Sequence, residues 1–380
     1  FTYYTDPLSP SSGMVSGLPV LLADYTFRTK KDVEDYLGIL EQTGAYFDAL
    51  IRYEQEKSSA GLFMSDTSAD NVIEQCDSIM DPVLLSDGSH FLQQTFTERL
   101  DGLASDEIIT GEEKQQYIDK NNMLLTTVMA PAYERVGDAF LVLKGTGTNP
   151  YGLCYYPEGK EYYTYLLAQT TGSSRSIPEI RRLLEKDYQK NFHALRDLVK
   201  NHPGLLKLSP EDFSLSLNMQ NSYSDHPEEP GDTDLPTKPA ATSDILCRLS
   251  EAILDDLQKQ MKPDFPKLTC IPEAKAGQEH DGESNSVSCQ IKKVSSSMEA
   301  YSSPAYYLTP PIDDLWHNTI YLNEPNITDD LTLYTTLAHE GYPGHLYQTV
   351  YSQSFLNQQN ASCIRSMLHY GGFVVGWAVY

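Results

Sequence analysis

The chain has 380 residues, 40% of them hydrophobic, and a net charge of −25. That charge excludes nucleic acid and anionic membrane surfaces as attracted partners. The length exceeds the size at which a single core stops growing, which leaves two domains or one large helical domain.

Residues 1–28, with Pro7, Pro10 and Pro19, read as irregular. From Lys30 the apolar period becomes helical (Val33, Tyr36, Leu37, Leu40, Leu50, Ile51) up to Ala60-Gly61. A second helix covers Val72 to Ile79 with Ser68 or Asp70 as its cap, and a third covers roughly 88–103. A fourth runs past Tyr117 and Leu124 to Leu141, with a kink at Pro131. Gly159 opens a helix that ends at Thr171-Gly172, and Ser176, Pro178 and Glu179 form the capping box of the next. Residues 209–240, rich in Pro, Ser and Asp, read as a mobile linker or lid, followed by an amphipathic helix over 241–261.

The character changes at Phe265. Thr269–Ile271, Val287–Ile291, Ala305–Thr309 and Asn318–Asn323 are short β-branched or aromatic stretches bounded by Pro, Gly and Asn, so they read as strands. The chain is therefore mainly α with a small β-sheet (α+β): a mostly helical region 1–264, then a region 265–380 of small sheet plus active-site helices, the two forming one continuous unit. The six cysteines form no C-x-x-C pair, and Cys270 with Cys289, flanking a polar loop, is the pair most suited to a disulfide. No signal peptide and no run of about 18 apolar residues occurs, so no segment is expected to span a membrane. The chain starts at Phe1 and stops at Tyr380 inside an apolar pattern, as a fragment truncated at its C-terminus would.

Chemistry is concentrated at His339-Glu340-Gly341-Tyr342-Pro343-Gly344-His345. In the ordinary H-E-x-x-H signature the two His share one helix face. A separation of six residues would turn the second by about 240° on a straight helix of about 3.6 residues per turn. Pro343 cannot donate to the carbonyl of His339, and Gly341 and Gly344 permit a bulge, so a helix looped out by two residues would bring both imidazoles to one point. His339 and His345 then read as zinc ligands, and Glu340 as the general base acting on metal-activated water. Tyr342, Tyr347 and Tyr370 are candidate oxyanion donors. The Asn318–Asn323 strand, with Asn318 and Tyr321, is a candidate sheet edge for an extended peptide.

These residues resemble a family of bacterial, often lipoprotein, proteins with a mostly helical zincin-like fold related to gluzincin-type metallopeptidases. Its pattern H-E-x-x-P-G-H-x-x-Q is met by His339, Glu340, Pro343, Gly344, His345 and Gln348, and its downstream E-G-W-A-x-Y motif by Gly376-Trp377-Ala378-Val379-Tyr380 from the glycine onward. The resemblance implies a zinc-dependent peptidase-like hydrolase acting on a peptide or small amide. It also implies an extracytoplasmic location, secreted or held at the cell surface by a lipid anchor outside this chain. The family's motif glutamate, the expected third metal ligand, is Val375 here, and His369 nearby is the candidate substitute. Two further readings stay open: a degenerate, non-catalytic relative that binds peptides or a surface partner, and a metal-dependent hydrolase of non-peptide amides.

Overall fold

The computed structural model describes residues 1–148, 152–204, 242–268, 287–311, 314–327, 329–359, 361–362, 364–367 and 370–380. The expected linker 209–240, the expected strand Thr269–Ile271, Cys270 and His369 lie outside them. The described residues are mainly helical with a small three-stranded sheet, and fall into two compact units. One comprises Phe1–Tyr163 with Ser295–Tyr301, the other Thr164–Val294 with Ser302–Tyr380.

The first unit is built from α1 (Met14–Ala23), α2 (Lys30–Ser59), α3 (Asp66–Ile79), α4 (Pro82–Asp87), α5 (Phe91–Ser105), α6 (Gly111–Leu124) and α7 (Ala130–Leu143). Thr29 and Asp32 form a capping box at the start of α2, whose Val33, Tyr36, Leu37, Leu40, Phe47 and Ile51 are buried. The cap of α3 is Ser65, one turn earlier than the sequence suggested, and its hydroxyl accepts from the Ser68 N–H. The irregularity expected at Pro131 falls in the turn before it, where Leu125–Met129 widens into a π-helical segment.

Helix α1 corrects the irregular reading of residues 1–28. Pro19 lies inside it and cannot donate to the carbonyl four residues back, that of Val15. The buried hydroxyl of Tyr133 donates to that carbonyl at 2.8 Å, so the helix continues with its acceptor satisfied. The partner lies 118 residues away in the chain, beyond the reach of any local pattern.

The division between the units falls within α8 (Gly159–Thr171). The second unit continues with α9 (Ile177–Asn201), which opens on the Ser176–Glu179 capping box and has no buried residue, and with α10 (Thr242–Met261). Then come β1 (Ser288–Lys293), β2 (Ala305–Leu308) and β3 (His317–Leu322), followed by α11 (Asp330–Glu340), α12 (His345–Gln358), α13 (Ile364–Met367) and α14 (Gly371–Val379). The strand order is β1-β3-β2: β1 runs parallel to β3 (Ser288 opposite His317), and β2 antiparallel (Tyr307 opposite Ile320). The strand carrying Asn318 and Tyr321 is thus flanked on both sides, which corrects its reading as a sheet edge; among the described residues β2 occupies an edge instead. Ile253, Leu254, Ile320, Leu337 and Leu346 belong to one core that joins α10, β3, α11 and α12. Cys289, the described half of the cysteine pair, is a free thiol whose pKa burial pushes up to about 12.

A buried charge pair marks α2. Glu54 and Lys57 are both fully buried, with the Lys57 ammonium 4.0 Å from the Glu54 carboxylate. Lys57 also donates to the Thr5 carbonyl at 3.0 Å and pairs with Asp6. Among the described residues neither carboxylate oxygen of Glu54 has a hydrogen-bond partner, and burial pushes its pKa up to about 7 against the pull of Lys57. A carboxyl whose folded pKa exceeds its unfolded value stabilises the fold fully below the unfolded value and loses that contribution as pH rises. The window runs from 4.5 to about 7, and the full contribution is about 3 kcal/mol. Glu54→Gln should remove it: urea unfolding across this window should show the variant gaining stability relative to wild type as pH rises, and a constant difference would overturn the assignment.

Candidate functional site

Helix α11 begins at Asp329, whose carboxylate accepts the Thr332 N–H at 2.8 Å, and Asp330 adds a second negative charge to the first turn. The last regular bond runs from Gly341 N–H to Leu337 at 2.8 Å. Beyond it the ladder changes step. Gly344 N–H reaches back to the Ala338 carbonyl at 3.1 Å and Tyr347 N–H to the Gly341 carbonyl at 3.2 Å, both spanning six residues, before Gln348 N–H to Gly344 at 3.0 Å restores the span of four. Two residues are looped out, as the sequence suggested. The His339 and His345 rings consequently face one another at a centroid distance of 4.7 Å and an interplanar angle of 88°.

Glycine is obligatory at two points of this turn. A Cβ on Gly344 would lie 1.8 Å from the His339 carbonyl oxygen, and one on Gly341 2.4 Å from the Leu254 side chain and 2.9 Å from the Leu337 carbonyl. Close backbone passage therefore permits the turn that brings the histidines together.

Among the described residues, His339, Glu340 and His345 are the one group of His, Cys, Asp and Glu whose donor atoms gather closely enough for a metal, all within 4.8 Å of one another. The Glu340 side chain is 13% exposed. Its Oε2 accepts the backbone N–H of Tyr307 at 2.8 Å, and its Oε1 lies 4.0 Å from Nε2 of His339. Burial raises the Glu340 pKa, partly opposed by the Tyr307 N–H and by His339. One oxygen is thus anchored to the outward side of β2 while the other faces the imidazoles.

The remaining expected residues are placed as follows. Asn318 is buried: it accepts the Tyr307 hydroxyl at 2.7 Å and donates to the Ser288 and Leu315 carbonyls at 3.2 Å. Tyr321 is buried and stacked on Tyr306 with centroids 5.1 Å apart. Tyr342 is buried in the core beside α10, and the Tyr347 hydroxyl donates to the Pro266 carbonyl at 2.8 Å. Tyr370 is exposed at the start of α14. Val375 lies on α14 with 47% of its surface exposed. Two contacts had no assigned role in the sequence reading: the Tyr307 backbone N–H on Glu340, and the indole of Trp377, which donates to the Pro343 carbonyl at 2.7 Å. The second carried a signal, since Trp377 belongs to the downstream motif; the first is a main-chain contact and has none.

Gly344→Ala is expected to destabilise the protein by about 3 kcal/mol or more in urea unfolding, because the new methyl meets backbone. Gly17→Ala on α1, where an added Cβ meets nothing within 4 Å, is the control, expected to stay within about 1 kcal/mol of wild type.

Among solved structures, the chain is similar to the crystal structure described as "the putative lipoprotein from Colwellia psychrerythraea", with a TM-score of 0.69 at 19% identity over 98% of this chain. At that identity the likeness establishes the fold alone, and the chain spans 58% of that structure's length. No curated protein matches the sequence. Residues 2–380 match the family described as "Bacterial protein of unknown function (DUF885)", and the chain belongs to that family.

Proposed function

We propose that the protein is a zinc-dependent, peptidase-like hydrolase of zincin-like type, cleaving peptide or amide bonds with Glu340 as general base. The observation that carries the reading is the convergence of two imidazoles and one partly buried carboxylate, with donors within 4.8 Å, at the turn between α11 and α12. The donor set fits zinc: imidazoles are among its usual ligands, and a catalytic zinc takes three protein ligands with one position left for water, so the two histidines supply two of the three. His339 and His345 would hold it. Zinc supplies Lewis acidity toward a carbonyl and toward water when bound.

The chain's own groups account for the rest. Glu340, held through Oε2 by Tyr307, presents its other oxygen to take a proton from the attacking water and deliver it to the leaving amine. Burial raises the Glu340 pKa and the Tyr307 N–H opposes that rise, a balance of forces of the kind found at proton-transferring carboxylates. An extended peptide would lie along β2, the edge strand beside Glu340, by strand addition. An extracytoplasmic location is part of the same proposal. It is supported by the neighbour described as "the putative lipoprotein from Colwellia psychrerythraea".

The alternative is a non-catalytic relative that binds peptides or a surface partner, favoured by Val375, since a valine cannot coordinate zinc. The experiments separate the two. Untagged wild-type protein should carry stoichiometric zinc by metal analysis, and Glu340→Gln should keep the zinc while losing hydrolysis of a peptide library by about 10²–10⁴-fold; turnover that survives the change sinks the catalytic reading. If the non-catalytic reading holds, wild type is metal-free, and Val375→Glu should raise zinc affinity by more than the roughly 10–100-fold that changes outside the ligand shell bring. Unchanged zinc affinity in that variant would count against position 375 as the missing ligand.

A further inference from the structure

We propose that Trp377 is a positioning residue that sets the separation of the His339 and His345 imidazoles by bracketing the turn between them. The zinc part of this inference rests on the reading of the two histidines as ligands; the structural part does not.

Pro343 is the residue of the turn with no N–H of its own to give, and its carbonyl is outside the backbone ladder that links α11 to α12. Among the described residues, the donor to that carbonyl is the Trp377 indole, at 2.7 Å. The same ring stacks on Tyr347, with centroids 6.5 Å apart and planes 14° apart, and meets Phe265 edge-on at 6.3 Å and 81°. Tyr347 is itself fixed through its hydroxyl to Pro266 and by an edge contact with Phe265 at 5.5 Å. A single side chain therefore grips residues 343 and 347, two positions before and two after His345. The indole is aimed by two aromatic neighbours, so its N–H reaches the Pro343 carbonyl with little rotational freedom left to lose. The hydrogen bond and ring contacts of Trp377 go to Pro343, Tyr347 and Phe265, and its effect on the imidazoles passes through the backbone of the turn.

A residue that only filled space would be replaceable by another ring, whereas one that holds the turn would not. The test uses the full chain, metal-free and zinc-loaded, as wild type and Trp377→Phe, with Trp377 replaced by its benzothiophene isostere as a second protein that keeps shape and stacking but lacks the N–H. Amide hydrogen exchange is followed by mass spectrometry, and zinc affinity by competition with a chelating dye. In the metal-free variants, exchange over residues 341–348 should quicken at least about tenfold, with the β3 peptide unchanged. The zinc dissociation constant should rise about 10–100-fold, as for other groups that orient ligands from outside the coordination sphere. Wild-type exchange in the isostere would overturn the proposal whatever the metal result. Faster exchange with wild-type zinc affinity would overturn it too, because the grip would then have no bearing on the histidines. If wild type itself binds no zinc, the metal reading of the site falls, and the exchange measurement alone decides whether Trp377 holds the turn.

Discussion

Gly344 stands against the carbonyl of His339, in space that no Cβ could share. This contact lets the chain leave α11, spend two extra residues and re-enter helix at His345 with its bonds displaced by a fixed step. The histidines face each other because the backbone closes on itself, and the residues that make the closure possible are those without a side chain or without an amide hydrogen. Leu337 on one helix and Leu346 on the next enter the same core against the small sheet, so the turn is pinned from both ends by apolar burial. The chemistry-bearing groups project from the remaining, partly exposed side of that arrangement.

Two glutamates, one buried and one partly buried, show how differently a fold can treat the same functional group. Among the described residues Glu54 has no hydrogen-bond donor on either oxygen, a lysine at 4.0 Å, and a pKa pushed up to about 7. Glu340 feels the same upward push from burial, but a main-chain N–H at 2.8 Å stabilises its ionised form. In the first, ionisation costs stability as pH rises toward the raised pKa; in the second, the main-chain donor offsets part of the cost of the charge. The difference lies in one backbone donor supplied by an edge strand.

The helices were legible wherever a cap and a 3.6-residue period agreed, as at Ser176–Glu179 and over Thr242–Met261. The strands were legible from composition, but not their order, since nothing local says that His317–Leu322 lies between the other two. α1 was missed because Pro19 reads as a breaker until Tyr133 is seen to satisfy the freed carbonyl. At the candidate site, the two-residue loop followed from Gly341, Pro343 and Gly344, since each acts on the backbone through its own covalent structure. The substrate role read for Asn318 rested on an edge position for its strand, and that for Tyr347 on residue type; the strand is central, and these side chains bond to Tyr307 and Pro266. Burial and partner choice depend on long-range packing, which residue type does not encode.

The grip of β2 on Glu340 has a genetic corollary. The donor is the peptide N–H of Tyr307, an atom present in every residue but proline. The anchor is therefore nearly silent to point mutation. The codon for residue 307 can drift through almost the whole alphabet without erasing the bond, provided the strand keeps its course. Inheritance of this contact is vested in the shape of the sheet and not in any one letter of the sequence, so a search for invariant side chains around Glu340 would pass over the atom that holds it.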